Sequence, residues 1–382
     1  VAKDHDWSPQ QVAAIKAVEE WYREPNAPQI FRLFGYAGTG KTTLAKHIAS
    51  IVRKVAKEGD EESGKVVFGA FTGKAALVLR SKGCHGASTI HGMIYTLDEE
   101  SGGVPRFILN EDGSPLKDAK LCIIDECSMV GAELAHDLLS FGVKVLVLGD
   151  PAQLPPVQDA GFFTEANPDV MLTEVHRQAE GNPIIRMSMD IRNGKRLDYG
   201  DFGACRVVTR GHHDLQAAVL GADQILVGLN RTRTAYNGRV RELRGIKSEY
   251  PKVGEKLVCL KNDRSRYLFN GGLWSVAKLR KANPVSVNMV LKPEDAGGVE
   301  RSVDVKVHPF FFEGREGELT WEQLKDFQQF TYGYALTVHK SQGSQWNNVV
   351  LFDESGVFRE DRERWLYTGV TRAAEKLTVV MS

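Results

Sequence analysis

An α/β fold in two units is what this 382-residue sequence predicts, and three observations carry the prediction. Helix and strand patterns alternate through the first half, the order that builds a parallel sheet flanked by helices. A glycine-rich turn, Gly35-Tyr36-Ala37-Gly38-Thr39-Gly40-Lys41-Thr42, stands between a strand pattern and a helix pattern. The length exceeds what one core commonly serves, so two or three compact units are expected.

Taken in order, Ser8 can cap a helix whose apolar residues Val12, Ile15, Val18 and Trp21 recur at helical spacing. Buried-strand runs follow at Ile30 to Phe34, Val66 to Phe71, Leu121 to Ile124 and Val143 to Leu148. Each ends in a polar or glycine-containing segment, which is where open α/β sheets hold ligands. Between Met93 and Lys117, turn clusters bracket Phe107, Ile108 and Leu109 and predict a small β-hairpin projecting from the first unit. A second α/β region is predicted to begin near Met171, with strands at Gln224 to Gly228 and Val349 to Phe352. Between them, Lys256 to Leu260, Trp274 to Leu279, Val285 to Leu291 and Val303 to Val307 read as strands with few helical stretches, an all-β insertion in the form of a small barrel. The expected units are therefore 1–170, with the hairpin at about 93–117, then 171–253 with 326–382, and the insertion at 254–325.

Composition narrows the class. Hydrophobic residues at 42% and charged residues at 26% match a globular chain and give no sign of disorder or a fibrous repeat. No apolar run approaches the roughly 18 residues of a membrane span, and Val1 to Trp7 is polar, so a cytoplasmic protein without a membrane partner is expected. Cys84, Cys122, Cys127, Cys205 and Cys259 form no paired spacing and read as reduced thiols. Lys and Arg number 49 against 49 Asp and Glu, and this zero net charge leaves nucleic acid open, because phosphate binding depends on where cations sit. Lys74, Arg80 and Lys82 form one basic tract, and Arg231, Arg233, Arg239, Arg241, Arg244 and Lys247 another.

Two motifs carry chemistry. The turn from Gly35 to Thr42 is a complete P-loop: its glycines let backbone N–H groups close around phosphate oxygens at a helix N-terminus. Lys41 is expected to neutralise the β- and γ-phosphates of ATP, and Thr42 to ligate Mg²⁺. Ile123-Ile124-Asp125-Glu126 ends an apolar strand in two carboxylates, the expected Walker B partner. Asp125 would hold Mg²⁺ and Glu126 would orient or deprotonate the attacking water.

With these in place the chain resembles the superfamily 1B helicases of the RecD/Dda-like group over nearly its whole length. Trp7-Ser8-Pro9-Gln10-Gln11 is similar to the Q motif, which implies that Gln11 reads the adenine edge. Phe71-Thr72-Gly73-Lys74-Ala75-Ala76 resembles motif Ia, with Phe71 in place of the usual Pro, and Ala87-Ser88-Thr89-Ile90-His91 resembles motif Ib. Gly149 to Val157 resembles motif III, with Gln153 sensing the γ-phosphate, and Leu172 to Gln178 resembles motif IV, with Arg177 as one arginine finger. Thr337-Val338-His339-Lys340-Ser341-Gln342-Gly343 resembles motif V, and Tyr367 to Arg372 resembles motif VI, with Arg372 as the second finger.

The resemblance implies two RecA-like domains carrying the two insertions. It places Gly35, Gly38, Thr39, Gly40, Thr43, Gln342 and Gly343 on the nucleotide. It places Thr72, Lys74, Thr89, His91, Asn230, Arg233, Asn237, Thr337 and His339 on DNA, either a single strand or its junction with duplex. An arginine supplied from another domain can contribute about 10³ to 10⁵ in rate. The expectation is an ATP-driven DNA helicase moving 5′→3′, acting as a monomer, with single-strand-binding or replication and recombination proteins as partners.

Phe107, in the hairpin, has two readings: a separation wedge, since a base stacked on an aromatic is worth about 1–3 kcal/mol, or an anchor that packs the hairpin on its own domain. An RNA helicase, a protein-displacing translocase, and a non-motor clamp or subunit of a nuclease complex stay open as alternatives.

Overall fold

The computed structural model describes residues 7–58, 65–98, 106–155, 161–174, 181–263, 266, 268, 270–294 and 302–381. The chain divides into two compact units, Val1–Phe71 with Ala75–Ile185, and Thr72–Lys74 with Arg186–Ser382.

In the first unit, helix α1 (Pro9–Arg23) begins at a reciprocal cap: the Gln11 N–H donates to Ser8 Oγ at 3.3 Å, and the Ser8 N–H donates to Gln11 Oε1 at 3.0 Å. Its buried stripe is Gln11, Ala14, Val18 and Trp21. Of the apolar residues at helical spacing, Val18 and Trp21 are buried and Ile15 packs against the core, while Val12 is 53% exposed and Gln11 points inward.

Strands β1 (Ile30–Gly35), β2 (Val66–Ala70), β3 (Ser88–Thr89), β6 (Leu121–Asp125), β7 (Lys144–Gly149) and β8 (Val170–Leu172) make one sheet in the order β3-β2-β6-β7-β1-β8. Every pairing in it is parallel. Alternate residues serve opposite faces: Leu33, Phe68, Ile123 and Leu146 pack with α1 and helix α2 (Lys41–Glu58), whereas Phe34, Val67, Cys122 and Val145 pack on the other side with Ile90, Leu134 and Leu138. Burial on both faces explains why these strands read as continuous apolar runs.

The predicted hairpin is present as β4 (Tyr95–Asp98) paired antiparallel with β5 (Arg106–Leu109). The boundary expected near Met171 lies further along. Residues Leu33 to Gly35 of β1 pair with β8, so 170–172 belong to the first sheet, and the first unit runs to Ile185.

The second unit holds another six-stranded sheet, in the order β17-β11-β18-β19-β10-β9. Its strands are β9 (Gly200–Phe202), β10 (Cys205–Thr209), β11 (Gln224–Val227), β17 (Ala335–Thr337), β18 (Trp346–Phe352) and β19 (Ala373–Met381), and only β9 runs antiparallel. The all-β insertion comprises β12 (Lys256–Cys259), β13 (Leu273–Ala282), β14 (Val287–Pro293), β15 (Val303–Val307) and β16 (Phe330–Tyr332), ordered β15-β14-β13-β12-β16.

This antiparallel sheet extends past the predicted limit at residue 325, because β16 supplies its last strand. Its two edges meet where the Gln328 N–H donates to Lys306 O at 2.9 Å and the Lys306 N–H to Gln328 Oε1 at 3.0 Å. The insertion and the second sheet share one core, in which Ile225, Val227 and Val240 pack with Leu257, Trp274, Met289 and Phe330.

All five cysteines are buried and unpaired with one another. Among the described residues no helix is long and apolar enough to cross a membrane.

One buried ion pair secures the insertion to the helix Asn230–Leu243. Arg241 donates to Glu255 through Nε at 2.8 Å and Nη2 at 3.2 Å, and Nη2 also reaches Ser248 O at 2.7 Å. Glu255 is 2% exposed and accepts from the Lys252 N–H and the Tyr334 hydroxyl as well. Removing one member strands the other charge, so Glu255→Ala should lower the stability of the second unit by about 3–5 kcal/mol in urea unfolding. A loss below about 1 kcal/mol, the range of an exposed pair, would contradict that reading.

Candidate active site

The catalytic candidates of the first unit stand at the carboxyl edge of its parallel sheet. Gly35 closes β1, Asp125 closes β6 and Gly149 closes β7. A Cβ on Gly35 would lie 2.6 Å from Thr39 Oγ1 and 2.8 Å from Leu172 Cβ, so only glycine fits where the loop leaves the strand. Gly38 and Gly40 take φ of +81° and +79°, the left-handed geometry that turns successive N–H groups toward one point.

Thr39 is buried, and its hydroxyl donates to Tyr36 O at 2.9 Å. The Lys41 ammonium turns back on its own loop, donating to Gly35 O at 2.6 Å and Tyr36 O at 3.0 Å. Thr43, the neighbour on α2, is exposed. Gln11 braces the loop from α1: its Nε2 donates to Thr39 O at 3.0 Å while its Oε1 serves the cap at Ser8. In this structure the amide of Gln11 is engaged on the protein at both ends.

Across the edge, the Thr42 hydroxyl donates to Asp125 Oδ2 at 3.0 Å, and the Glu126 N–H donates to Asp125 Oδ1 at 2.9 Å. Burial and the neighbouring Glu126 carboxylate push the Asp125 carboxyl above the usual range, against the pull of Lys41, the Glu126 N–H and Thr42. A hydroxyl and a carboxylate this close are the oxygen set that suits a hard cation such as Mg²⁺, and Thr42 and Asp125 would hold it.

Glu126 has φ 54° and ψ 45°, left-handed for a residue with a Cβ. Such backbone costs about 1–3 kcal/mol and concentrates at functional sites. Gln153, beyond β7, is buried, and among the described residues its Oε1 has no hydrogen-bond partner, an acceptor that a donor such as a bound water would satisfy.

The predicted strand-facing residues divide. Asn230 opens the helix Asn230–Leu243 and is exposed. His91 is half-buried, with rings of Phe71 and Tyr95 on either side at 6.2 Å and 5.6 Å. Thr89 spends its hydroxyl capping a short helix, accepting from the Gly92 N–H at 3.0 Å. Thr72 is half-buried at the start of its helix, and the side chain of Lys74 lies outside the described part of the structure.

Asn237 is buried: it donates to Ala335 O and accepts from the Ala335 N–H, fixing the helix on β17. Thr337 is buried and accepts from the Lys340 N–H at 3.3 Å. Arg233 is also buried, 8% exposed, with its Nε unpartnered. Burial lowers its pKa, with Glu316 opposing. Of the basic tract around it, Arg241 is also turned inward onto Glu255, whereas Arg231, Arg239, Arg244 and Lys247 are exposed, Arg239 in a surface pair with Glu242.

His339 is half-buried beside Phe358, and burial lowers its pKa. Burial, with Arg233 nearby, brings Lys340 down to about 8. Gln342 is buried and Gly343 takes a φ of +72°. Arg372 is buried, donating to Thr368 O at 3.1 Å, Ser344 O at 3.1 Å and Thr371 Oγ1 at 3.2 Å, so it ties motif VI to the residue that follows motif V. Arg177 lies outside the described residues, as does the side chain of Phe107.

Sequence reasoning missed Glu354. Its carboxylate accepts from the N–H groups of Gly228 and Leu229 at 2.6 Å and 3.1 Å and from the Thr232 hydroxyl at 2.7 Å, so it caps the helix that presents Asn230. The available signal was Asp353-Glu354 at the end of an apolar strand, the same pattern as Asp125-Glu126. A cavity of about 520 Å³ in the second unit, between Arg210, His212, Tyr236, Leu243 and Phe352, contains none of the predicted residues.

Comparisons agree with this geometry. Residues 7–209 match the model of an AAA domain and residues 332–380 that of a UvrD-like helicase C-terminal domain. The chain is 31% identical to an ATP-dependent RecD2 DNA helicase of Deinococcus radiodurans, over 90% of this chain and 46% of that protein. It therefore spans less than half the length of that relative. It is 24% identical to an ATP-dependent DNA helicase Pif1 of Bdellovibrio bacteriovorus, over 90% of this chain and 81% of that one. A crystal structure of Pif1 helicase from Bacteroides, in complex with ADP-AlF3 and ssDNA, shares the fold at a TM-score of 0.56 and 18% identity, covering 98% and 92% of the two chains.

The left-handed Glu126 yields a stability test. Glycine adopts that backbone without a Cβ penalty, so Glu126→Gly should stabilise the first unit by about 0.5–1 kcal/mol while removing the carboxylate. Glu126→Gln, which keeps the Cβ, should leave stability within about 0.5 kcal/mol of the parent. Denaturant midpoints of the two variants check this, and destabilisation by glycine would show that the conformation is unstrained.

Proposed function

This chain belongs to the superfamily 1B helicases, in the group of RecD and Pif1, and we propose that it is an ATP-hydrolysing motor that moves along single-stranded DNA and opens duplex DNA. The observation that carries the proposal is the set at one sheet edge: a P-loop with its lysine, a hydroxyl against a carboxylate, and a second carboxylate held in strained backbone. Its relatives named as DNA helicases support DNA as the substrate.

The glycine-rich loop would bind the phosphates of ATP through backbone N–H groups, with Lys41 exchanging its carbonyl partners for phosphate oxygens. Thr42 and Asp125 would hold Mg²⁺, which when bound supplies positive charge to the phosphate oxygens. Glu126 orients the attacking water and takes its proton. Gln153 offers its amide to the γ-phosphate, and Arg372 and Arg177 answer charge developing on the transferred group. Arg372 spends three of its five N–H groups on the protein, which leaves two for a ligand.

Movement of DNA would follow from coupling these events to the polar groups of motifs Ia, Ib and V and to the exposed Asn230. Amide, hydroxyl and imidazole groups suit backbone contacts that do not read sequence. The hairpin β4–β5, with Phe107, is proposed as the wedge, and the direction as 5′→3′.

Steady-state turnover and strand-separation assays on one preparation test the reading. ATP hydrolysis should rise on adding single-stranded DNA, and a 5′-tailed duplex should be opened in preference to a 3′-tailed one. Lys41→Ala should abolish turnover, and Glu126→Gln should bind ATP with turnover reduced by at least about 10²-fold. Indifference of hydrolysis to DNA would remove the motor assignment, and preference for the 3′ tail would reverse the polarity.

A further inference from the structure

The neighbour of Gln11 on α1 carries no role in the proposal above, yet its side chain is fully committed. Gln10 Nε2 donates to Thr173 Oγ1 at 3.1 Å, and Gln10 Oε1 accepts from the N–H groups of both Thr173 and Glu174, at 2.8 Å and 2.9 Å. These residues are the first two beyond β8, a three-residue strand at the edge of the sheet whose one strand neighbour among the described residues is β1. An edge strand of that length has few ladder hydrogen bonds and would be prone to fray at its exit.

The exit of β8 also forms a wall of the P-loop. Leu172 O accepts from the Tyr36 N–H at 3.3 Å, and Leu172 Cβ and O are the atoms that a side chain on Gly35 would strike, at 2.8 Å and 3.2 Å. Two adjacent glutamines of one helix therefore hold the loop from opposite directions. Gln11 reaches it directly at Thr39 O, and Gln10 reaches it through the backbone that follows Leu172.

We infer that Gln10 is a positioning residue for nucleotide binding: by fastening the exit of β8 it keeps Leu172 O against the Tyr36 N–H and so holds the P-loop in its binding shape. The inference rests on the reading that this loop binds ATP. Gln10 touches none of the reacting atoms, and its action passes through Thr173, Glu174 and Leu172. Its three hydrogen bonds lie at the protein surface, where water can replace them, so their loss should disturb the loop more than the fold.

The test compares Gln10→Ala with Gln10→Glu in the full chain. Glutamate keeps an acceptor for the two N–H groups, and a carboxylate is favourable in the first turn of a helix. Gln10→Ala should raise the KM for ATP by about five- to tenfold with a smaller change in kcat, the signature of lost ground-state binding. Its melting temperature should stay within about 3 °C of the parent, and hydrogen exchange should quicken at Tyr36, Thr173 and Glu174. Gln10→Glu should restore KM to within about twofold.

An unchanged KM in Gln10→Ala overturns the inference. So does a rise in KM that comes with a matching loss of melting temperature and is not rescued by Gln10→Glu, because that is the behaviour of a structural residue. Lys41→Ala, measured alongside, keeps the two readings apart. If it binds and turns over ATP normally, the P-loop assignment fails, and this inference with it. If it loses ATP while Gln10→Ala behaves as the parent, only the inference fails.

Discussion

Parallel pairing of β6, β7 and β1 is the constraint on which the first unit depends. Its register, with Phe34 beside Gly149 and Ile124 beside Val147, delivers the P-loop, the paired carboxylates and the segment leading to Gln153 to one edge. Thr42 can meet Asp125 at 3.0 Å only because that register places their strands' ends together across β7. Close packing there leaves little freedom in sequence. A Cβ on Gly149 would approach Cys127 Sγ to 2.7 Å and the Phe34 ring to 3.3 Å, so the strand must end in glycine before the chain turns toward Gln153.

The two units use a carboxylate at a strand end in opposite ways. In the first, Asp125 and Glu126 crowd together, one with its pKa raised and the other in left-handed backbone, and the sheet beneath sustains an arrangement that is unfavourable by itself. In the second, Glu354 is satisfied by two backbone N–H groups and a hydroxyl, and it stabilises the helix it caps. Unsatisfied local chemistry marks the place for reaction, and satisfied chemistry marks the scaffold.

How much was legible follows the same division. The P-loop, the Asp125-Glu126 strand end, the hairpin and most strands of the insertion could be read because each depends on local backbone chemistry or short-range periodicity. The helix α1 and its Ser8 cap were legible from spacing, but the inward turn of Gln11 was not, because it depends on tertiary contact with the loop. The basic tract from Arg231 to Lys247 divides between exposed cations, Arg231, Arg239, Arg244 and Lys247, and two turned inward. Charge along a sequence does not report burial, and Arg233 and Arg241 proved to be interior groups. Asn237 was placed on DNA by resemblance, whereas its amide matches the two backbone groups of Ala335, a pairing between residues 98 apart. The limit of the first unit was placed too early because three residues of β8 carry too little pattern to be assigned without their partner β1.

The distribution of the cysteines has a practical consequence. Cys84, Cys122 and Cys127 lie in the core of the first unit and Cys205 and Cys259 in that of the second. Burial pushes Cys122, Cys205 and Cys259 up to about 12 and raises Cys84 and Cys127 as well, so in the folded chain these thiols are both shielded and protonated. Alkylating reagents attack the thiolate, and each sulfur becomes competent only when its surroundings open. The native sequence thus contains an internal clock for each unit: pulse labelling followed by peptide mapping would time the opening of one half of the molecule independently of the other, with no engineered probe.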